Sequence, residues 1–124
     1  MAGPKLDALQ ALIVDDHEPT RALLARVLRS AGVADVRDSD SAERALAMLA
    51  ERAADLILVD NRMPGMNGLD FIRAVRADPR LAQARIVMLT GDDACSVAVA
   101  AGADAVLTKP ATPSEMLRAV AALF

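Results

Sequence analysis

Three short apolar runs constrain this chain more than any other feature: Ala11 to Val14, Leu56 to Val59 and Ile86 to Leu89. Each is followed at once by a polar residue, Asp15, Asp60 and Thr90 respectively. Runs this short and unbroken by alternation read as strands buried on both faces, the pattern of a parallel sheet. Stretches with helical spacing lie between them. Leu23, Leu24, Val27 and Leu28 share a face after Pro19, a residue suited to the first turn of a helix. Ala42, Ala45, Leu46 and Leu49 share another, and Asp40 with Glu43 three positions on resembles a capping box. Leu69, Ile72 and Val75 form a third stripe that ends before Pro79. In the last helix Thr112 can cap, Pro113 takes the first helical position, and Glu115 completes the box. Leu117, Val120 and Phe124 are then its inner stripe. Weaker strands fall near Ala34 to Arg37 and Ala105 to Thr108, with Gly32 and Gly102 ending the helices before them. Five βα repeats predict an α/β fold with a parallel sheet covered on both faces, its topology restricted by right-handed crossovers.

Length and composition agree with one domain and exclude several functions. The 124 residues hold no linker or low-complexity tract, so a single domain over 1–124 is expected, with its core from about residue 10 and an N-terminal extension over 1–9. A net charge of −3 disfavours direct nucleic-acid binding, which needs a basic face. Two Phe, no Tyr and no Trp argue against a module that stacks bases on aromatic rings. The single Cys95 cannot close an internal disulfide, and with one His the Cys/His metal sites lack ligands. No apolar run nears the roughly eighteen residues of a membrane span, and Met1 to Gln10 hold no signal-peptide core. A cytoplasmic location is expected.

In parallel sheets of this kind ligands bind beyond the carboxyl ends of the strands. Those ends carry Asp15 and Asp16, Asp60, Thr90 and Lys109. Two carboxylates about 4 Å apart repel by roughly 4 kcal/mol at an effective dielectric of 20, so three close together call for a cation. Oxygen-only ligands sharing a shell with water and phosphate suit Mg²⁺ better than Ca²⁺, with Mn²⁺ as a substitute. A carboxylate beside Mg²⁺ and Lys109 can attack a phosphoryl group and form an acyl phosphate, with the metal, the lysine and the Thr90 hydroxyl steadying its oxygens.

At this point the chain resembles the receiver domain of two-component response regulators, of the stand-alone, chemotaxis-regulator kind. The resemblance rests on Leu12 to Asp16, Leu56 to Asp60 running on to Met63 to Gly68, Met88 to Thr90, and Ala101 to Asp104 with Thr108 to Pro110. It covers about residues 10 to 124. It implies a flavodoxin-like (βα)5 doubly wound sandwich with five parallel strands in the order 2-1-3-4-5. It implies Asp60 as phosphoacceptor. Asp16 would bind Mg²⁺ directly, Asp15 mainly through water, and the backbone carbonyl of Arg62 would be a further ligand. Thr90 and Lys109 would bind the phosphoryl group, and a cis peptide before Pro110 would aim Lys109 inward. Gly91 would leave room for phosphoryl access, and Arg62 and Asp92 would flank the site where phosphoryl lifetime is tuned.

Plainer readings stand beside these. Asp16 taken alone could cap the first helix, and Asp60 alone could be a strand-end turn residue. His17 reads as a solvated loop residue, Cys95 as a small hydrophobe or partly exposed thiol, and Met63 and Met66 as packing for the loop after Asp60. Arg62 and Asp92 could form an exposed ion pair worth under about 1 kcal/mol.

Two departures from the family pattern matter. The position three before Lys109, where the family keeps Tyr or Phe as a switch, is Val106, too short and stiff to repeat the swing. The interval from Thr90 to Lys109 is about three residues below the family's usual one, nearly one helical turn. The loss falls between Gly91 and Ala101, which leaves a short fourth helix from about Ala94 to Ala101.

The leading expectation is a stand-alone phosphoacceptor rather than an enzyme, served by a histidine kinase or a histidine phosphotransfer protein. No effector segment follows Phe124, so output is expected through protein contact or phosphorelay, by a monomer or weak dimer. The alternative is a phosphorylation-independent scaffold, a pseudo-receiver with an altered output face. A phosphohydrolase would need two aspartates separated by one residue, whereas Asp15 and Asp16 are adjacent. No Gly-rich loop with Lys-Ser/Thr points to a nucleotide.

Overall fold

The computed structural model describes residues 6–91 and 95–124. Five parallel strands, β1 (Gln10–Val14), β2 (Asp35–Ser39), β3 (Leu56–Asp60), β4 (Arg85–Thr90) and β5 (Ala105–Thr108), lie in the order β2-β1-β3-β4-β5. The helices between and after them are α1 (Glu18–Ser30), α2 (Ala42–Glu51), α3 (Gly68–Ala77), α4 (Cys95–Ala101) and α5 (Pro113–Leu123). A short 3-10 turn, Leu6–Ala8, precedes β1. This is the α/β fold that the βα repeats predict, in the flavodoxin-like order that the family resemblance implies.

Strand parity divides the core in two. Side chains alternate faces along a strand, so Leu12, Val14, Ile57, Val59, Ile86 and Met88 meet the buried faces of α2, α3 and α4. Ala11, Ile13, Leu56, Leu58, Val87 and Leu89 turn the other way, to α1 and α5. All of β3 is buried, which explains why its sequence shows no alternation. Edge strand β2 instead carries Asp35, Arg37 and Asp38, charges that discourage pairing with another sheet. Leu9 is buried and Leu6 packs partly onto the α1–α5 side, so part of the segment before residue 10 joins the core.

Several local expectations are corrected. The α2 cap is Ser41, whose side chain accepts from the Arg44 N–H, rather than Asp40. Glu43 makes no capping box; it reaches across to the Met66 N–H. The residue capping α1 is His17, without a side-chain cap bond, so Asp16 is not the helix cap. Leu23 is exposed while Ala25 takes a place in the core. Phe124 is exposed as well, and Met116 lies inward with Val120 on α5. Leu46 and Leu69 are half-buried, and Phe71 is the large buried side chain of α3. The α5 capping box of Thr112 and Glu115 forms as expected, with both bonds at 3.0 Å. Gly32 and Gly102 take positive φ, +109° and +120°, after α1 and α4.

Candidate functional site

The carboxyl edge of the sheet gathers the acidic residues. β1 ends at Val14, and the Asp15 N–H then bonds the Ser39 carbonyl at 3.1 Å, extending the pairing with β2 by one residue. Asp15 is 1% exposed, and its Oδ1 accepts from the His17 N–H at 2.8 Å. Asp16 is exposed beside it. Asp60 closes β3 at 7% exposure. Asp15, Asp16 and Asp60 each offer an oxygen within 4.8 Å of the others.

β4 and β5 deliver the remaining groups. Thr90 is buried at the end of β4, opposite Thr108. The Lys109 N–H donates to the Thr90 carbonyl at 2.7 Å, carrying the ladder one step past β5. The Lys109 Nζ then reaches Asp60 Oδ1, also at 2.7 Å. The Lys109–Pro110 peptide is cis. Asp60, Arg62, Thr90, Gly91 and Lys109 line a cavity of about 270 Å³. A Cβ at Gly91 would meet no atom of the described residues within 4 Å.

The electrostatics match an acidic cluster short of positive charge. Burial pushes the Asp15 carboxyl above its usual value, and the charges of Asp60 and Asp16 push the same way. The His17 N–H and Lys109 pull it down without overcoming burial. The Asp15 Oδ2 is buried and has no hydrogen-bond partner among the described residues. A buried carboxylate oxygen without a partner is costly. A hard cation would satisfy it, so the donor set fits Mg²⁺.

The flanking residues divide. Met63 is buried and Met66 packs against the same core, as expected of the loop after Asp60. The His17 ring lies on the surface, its Nδ1 2.6 Å from Thr20 Oγ1. Val106 is half-buried against the α2–α4 side of the core. Helix α4 has seven residues, with Val97 and Val99 exposed. Asp92, the Ala94 start of that helix and the Cys95 side chain lie outside the described residues.

Two supports of the site were not legible as such in the sequence. A Cβ on Gly68 would lie 2.6 Å from the Asp60 carbonyl oxygen and 2.9 Å from the Asn61 Cα. Only glycine lets α3 begin this close to the end of β3, and the Asn67 cap just before it, accepting from the Asp70 N–H, was the available signal. Glu43 Oε2 accepts from the Met66 N–H at 3.0 Å and ties α2 to the same loop; no local pattern announces a bond spanning 23 residues.

An acidic trio with a lysine, at the carboxyl edge of a 2-1-3-4-5 parallel sheet, defines a flavodoxin-like α/β protein with a cation-ready site. Comparison with known proteins narrows the class. The family model of the response regulator receiver domain matches residues 11–121, and the chain belongs to that family. It is 34% identical to the chemotaxis protein CheY of Pseudomonas aeruginosa over 94% of this chain and 96% of that one. It is 35% identical to the sensory/regulatory protein RpfC of Xanthomonas campestris pv. campestris over 96% of this chain, a match covering 17% of RpfC. The solved chemotaxis response regulator CheY4 of Vibrio cholerae superposes with a TM-score of 0.87 at 29% identity, covering 94% of this chain and 98% of that one. Receiver domains are signalling phosphoacceptors rather than classical enzymes, and they bind Mg²⁺ at an acidic pocket. Among the described residues no helix is long and apolar enough to cross a membrane.

Proposed function

We propose that Asp60 accepts a phosphoryl group from a histidine kinase or a histidine phosphotransfer protein. The observation that carries this reading is the 2.7 Å bond from Lys109 to a buried Asp60, inside the acidic cluster and at a cavity also lined by Thr90 and Gly91. The Asp60 oxygen not bonded to Lys109 attacks phosphorus. The new O–P bond forms as the donor's N–P bond breaks, and the imidazole leaves with the electron pair and takes a proton from water. Lys109 and the Thr90 hydroxyl hold the phosphoryl oxygens as charge shifts onto them. Asp15, Asp16, Asp60 and the Arg62 backbone carbonyl would hold Mg²⁺, or Mn²⁺ in its place. When bound, the metal supplies charge neutralisation at the phosphoryl oxygens.

Output then passes through protein contact or onward phosphate relay, by a monomer or weak dimer in the cytoplasm. The seven-residue α4 and the aliphatic Val106 favour relay, which needs no large swing at the output face. Incubation with acetyl phosphate and Mg²⁺ followed by intact mass tests the reading. One phosphoryl adduct of about 80 Da is expected, absent in a folded Asp60→Asn variant. No adduct, even with an acyl-phosphate trap, would overturn it in favour of a phosphorylation-independent scaffold.

A further inference from the structure

Asp15 is committed at every polar atom but one. Its N–H donates to the Ser39 carbonyl at 3.1 Å, and its Oδ1 accepts from the His17 N–H at 2.8 Å. Its carbonyl oxygen accepts from Arg21 Nη1, also at 2.8 Å. Only Oδ2 lacks a partner among the described residues. Arg21 lies half-buried near the start of α1, its own N–H bonded to the His17 carbonyl at 3.0 Å. A guanidinium near a carboxylate pairs with it most strongly as a two-pronged ion pair. Arg21 bonds the backbone carbonyl instead, and its buried Nε has no partner among the described residues.

That choice has a chemical consequence. An ion pair with the carboxylate would neutralise Asp15 and occupy the lone pairs that a cation needs. A bond to the carbonyl fixes the turn between β1 and α1 and leaves the carboxylate its charge. We propose that Arg21 is a positioning residue for the cation site, pinning the Asp15 backbone so that Oδ2 remains the uncommitted acceptor. The inference rests on reading the Asp15, Asp16 and Asp60 cluster as a Mg²⁺ site.

Calorimetric titration of the full chain with MgCl₂ tests it, without recourse to phosphorylation. Arg21→Met is expected to weaken Mg²⁺ binding about tenfold, the scale of lost outer-shell partners of metal ligands, and Arg21→Lys, which keeps a donor, to recover most of it. Arg37→Met is the control. Among the described residues Arg37 likewise bonds only carbonyls, those of Met48, Arg52 and Ala53 at the opposite end of the sheet, and its buried Nε likewise has no partner there. It should melt lower yet bind Mg²⁺ as the parent does. In the parent chain, the Arg21 Nε–H resonance should shift along the Mg²⁺ isotherm while that of Arg37 stays fixed, a readout that stands even where a variant does not fold. Equal affinity in Arg21→Met, equal loss in Arg37→Met, or an unmoved Arg21 resonance would overturn this role alone. A parent chain that binds no Mg²⁺ would overturn the site reading and this role with it.

Discussion

The Lys109 ammonium sits 2.7 Å from Asp60 Oδ1, joining residues 49 positions apart at the carboxyl edge of the sheet. Asp60 contributes a nearly buried carboxylate, and Lys109 a side chain that keeps 37% of its surface exposed. The lysine is thus held at the acid yet open to the cavity from which a phosphoryl group would arrive. Replacing Lys109 by Ala removes the charge-assisted donor while leaving the three carboxylates in place. Labelling of Asp60 by acetyl phosphate is expected to slow about 100-fold, the scale of a lost donor at developing negative charge. The measurement is the rate of adduct formation by intact mass at fixed Mg²⁺. A rate within threefold of the parent would show that the bond has no part in phosphoryl transfer.

Asp15 sets the sign of a pH effect. Its folded-state carboxyl titrates above the unfolded value of about 3.9 because burial penalises its charge. Its contribution to stability is therefore fully present below that unfolded value and is lost as pH rises through the folded one. In Mg²⁺-free buffer at pH 7, Asp15→Asn is expected to melt above the parent, and the gap should close as pH falls toward 4. Saturating Mg²⁺ should reverse the order, since a ligand at 100 times its Kd adds about 2.7 kcal/mol to the parent. Thermal melts at pH 4 and 7, with and without Mg²⁺, check both statements; a variant that melts below the parent at pH 7 without metal contradicts the first.

Gly68 predicts a steric cost. An added methyl would press on the Asp60 carbonyl oxygen, the Asn61 Cα and the Met88 Cε. Two of these are backbone atoms, so little can yield cheaply. Gly68→Ala is expected to cost about 1–3 kcal/mol by urea unfolding, as overpacking does, and to slow Asp60 labelling by shifting the end of β3. Unchanged stability would mean that α3 can start farther out than the structure places it.

Arg76 predicts a stability effect remote from the site. Its guanidinium donates to the carbonyls of Gly102, Ala82 and Ala84 and to Asp104 Oδ2, at 2.6 to 2.9 Å. Asp104 in turn accepts from the Ile86 N–H. The end of α3, the entry to β4 and the turn between α4 and β5 thus share one side chain. Arg76→Met is expected to lose about 2–4 kcal/mol, because several carbonyls lose a donor at once. Amide exchange should quicken first between residues 102 and 106. Uniform quickening across the sheet would contradict a local clamp.

What the sequence determined follows the range of the signal. Strands β1, β3 and β4 are legible because a strand buried on both faces must be apolar throughout. Once the strands are placed, Asp15, Asp16, Asp60, Thr90 and Lys109 fall at one edge by topology alone. The α5 capping box is legible because Thr112 and Glu115 are three residues apart and act on each other. The same pattern misleads at Asp40 and Glu43, where a bond to Met66, 23 residues away, takes the carboxylate. Tertiary structure alone decided that Glu43 serves a loop, that Gly68 must lack a side chain, that Arg21 binds a carbonyl rather than a carboxylate, and that Leu23 and Phe124 face outward. Each depends on how close two separately formed elements come. That distance is set by the packing of helices on the sheet and is encoded in no single stretch of chain.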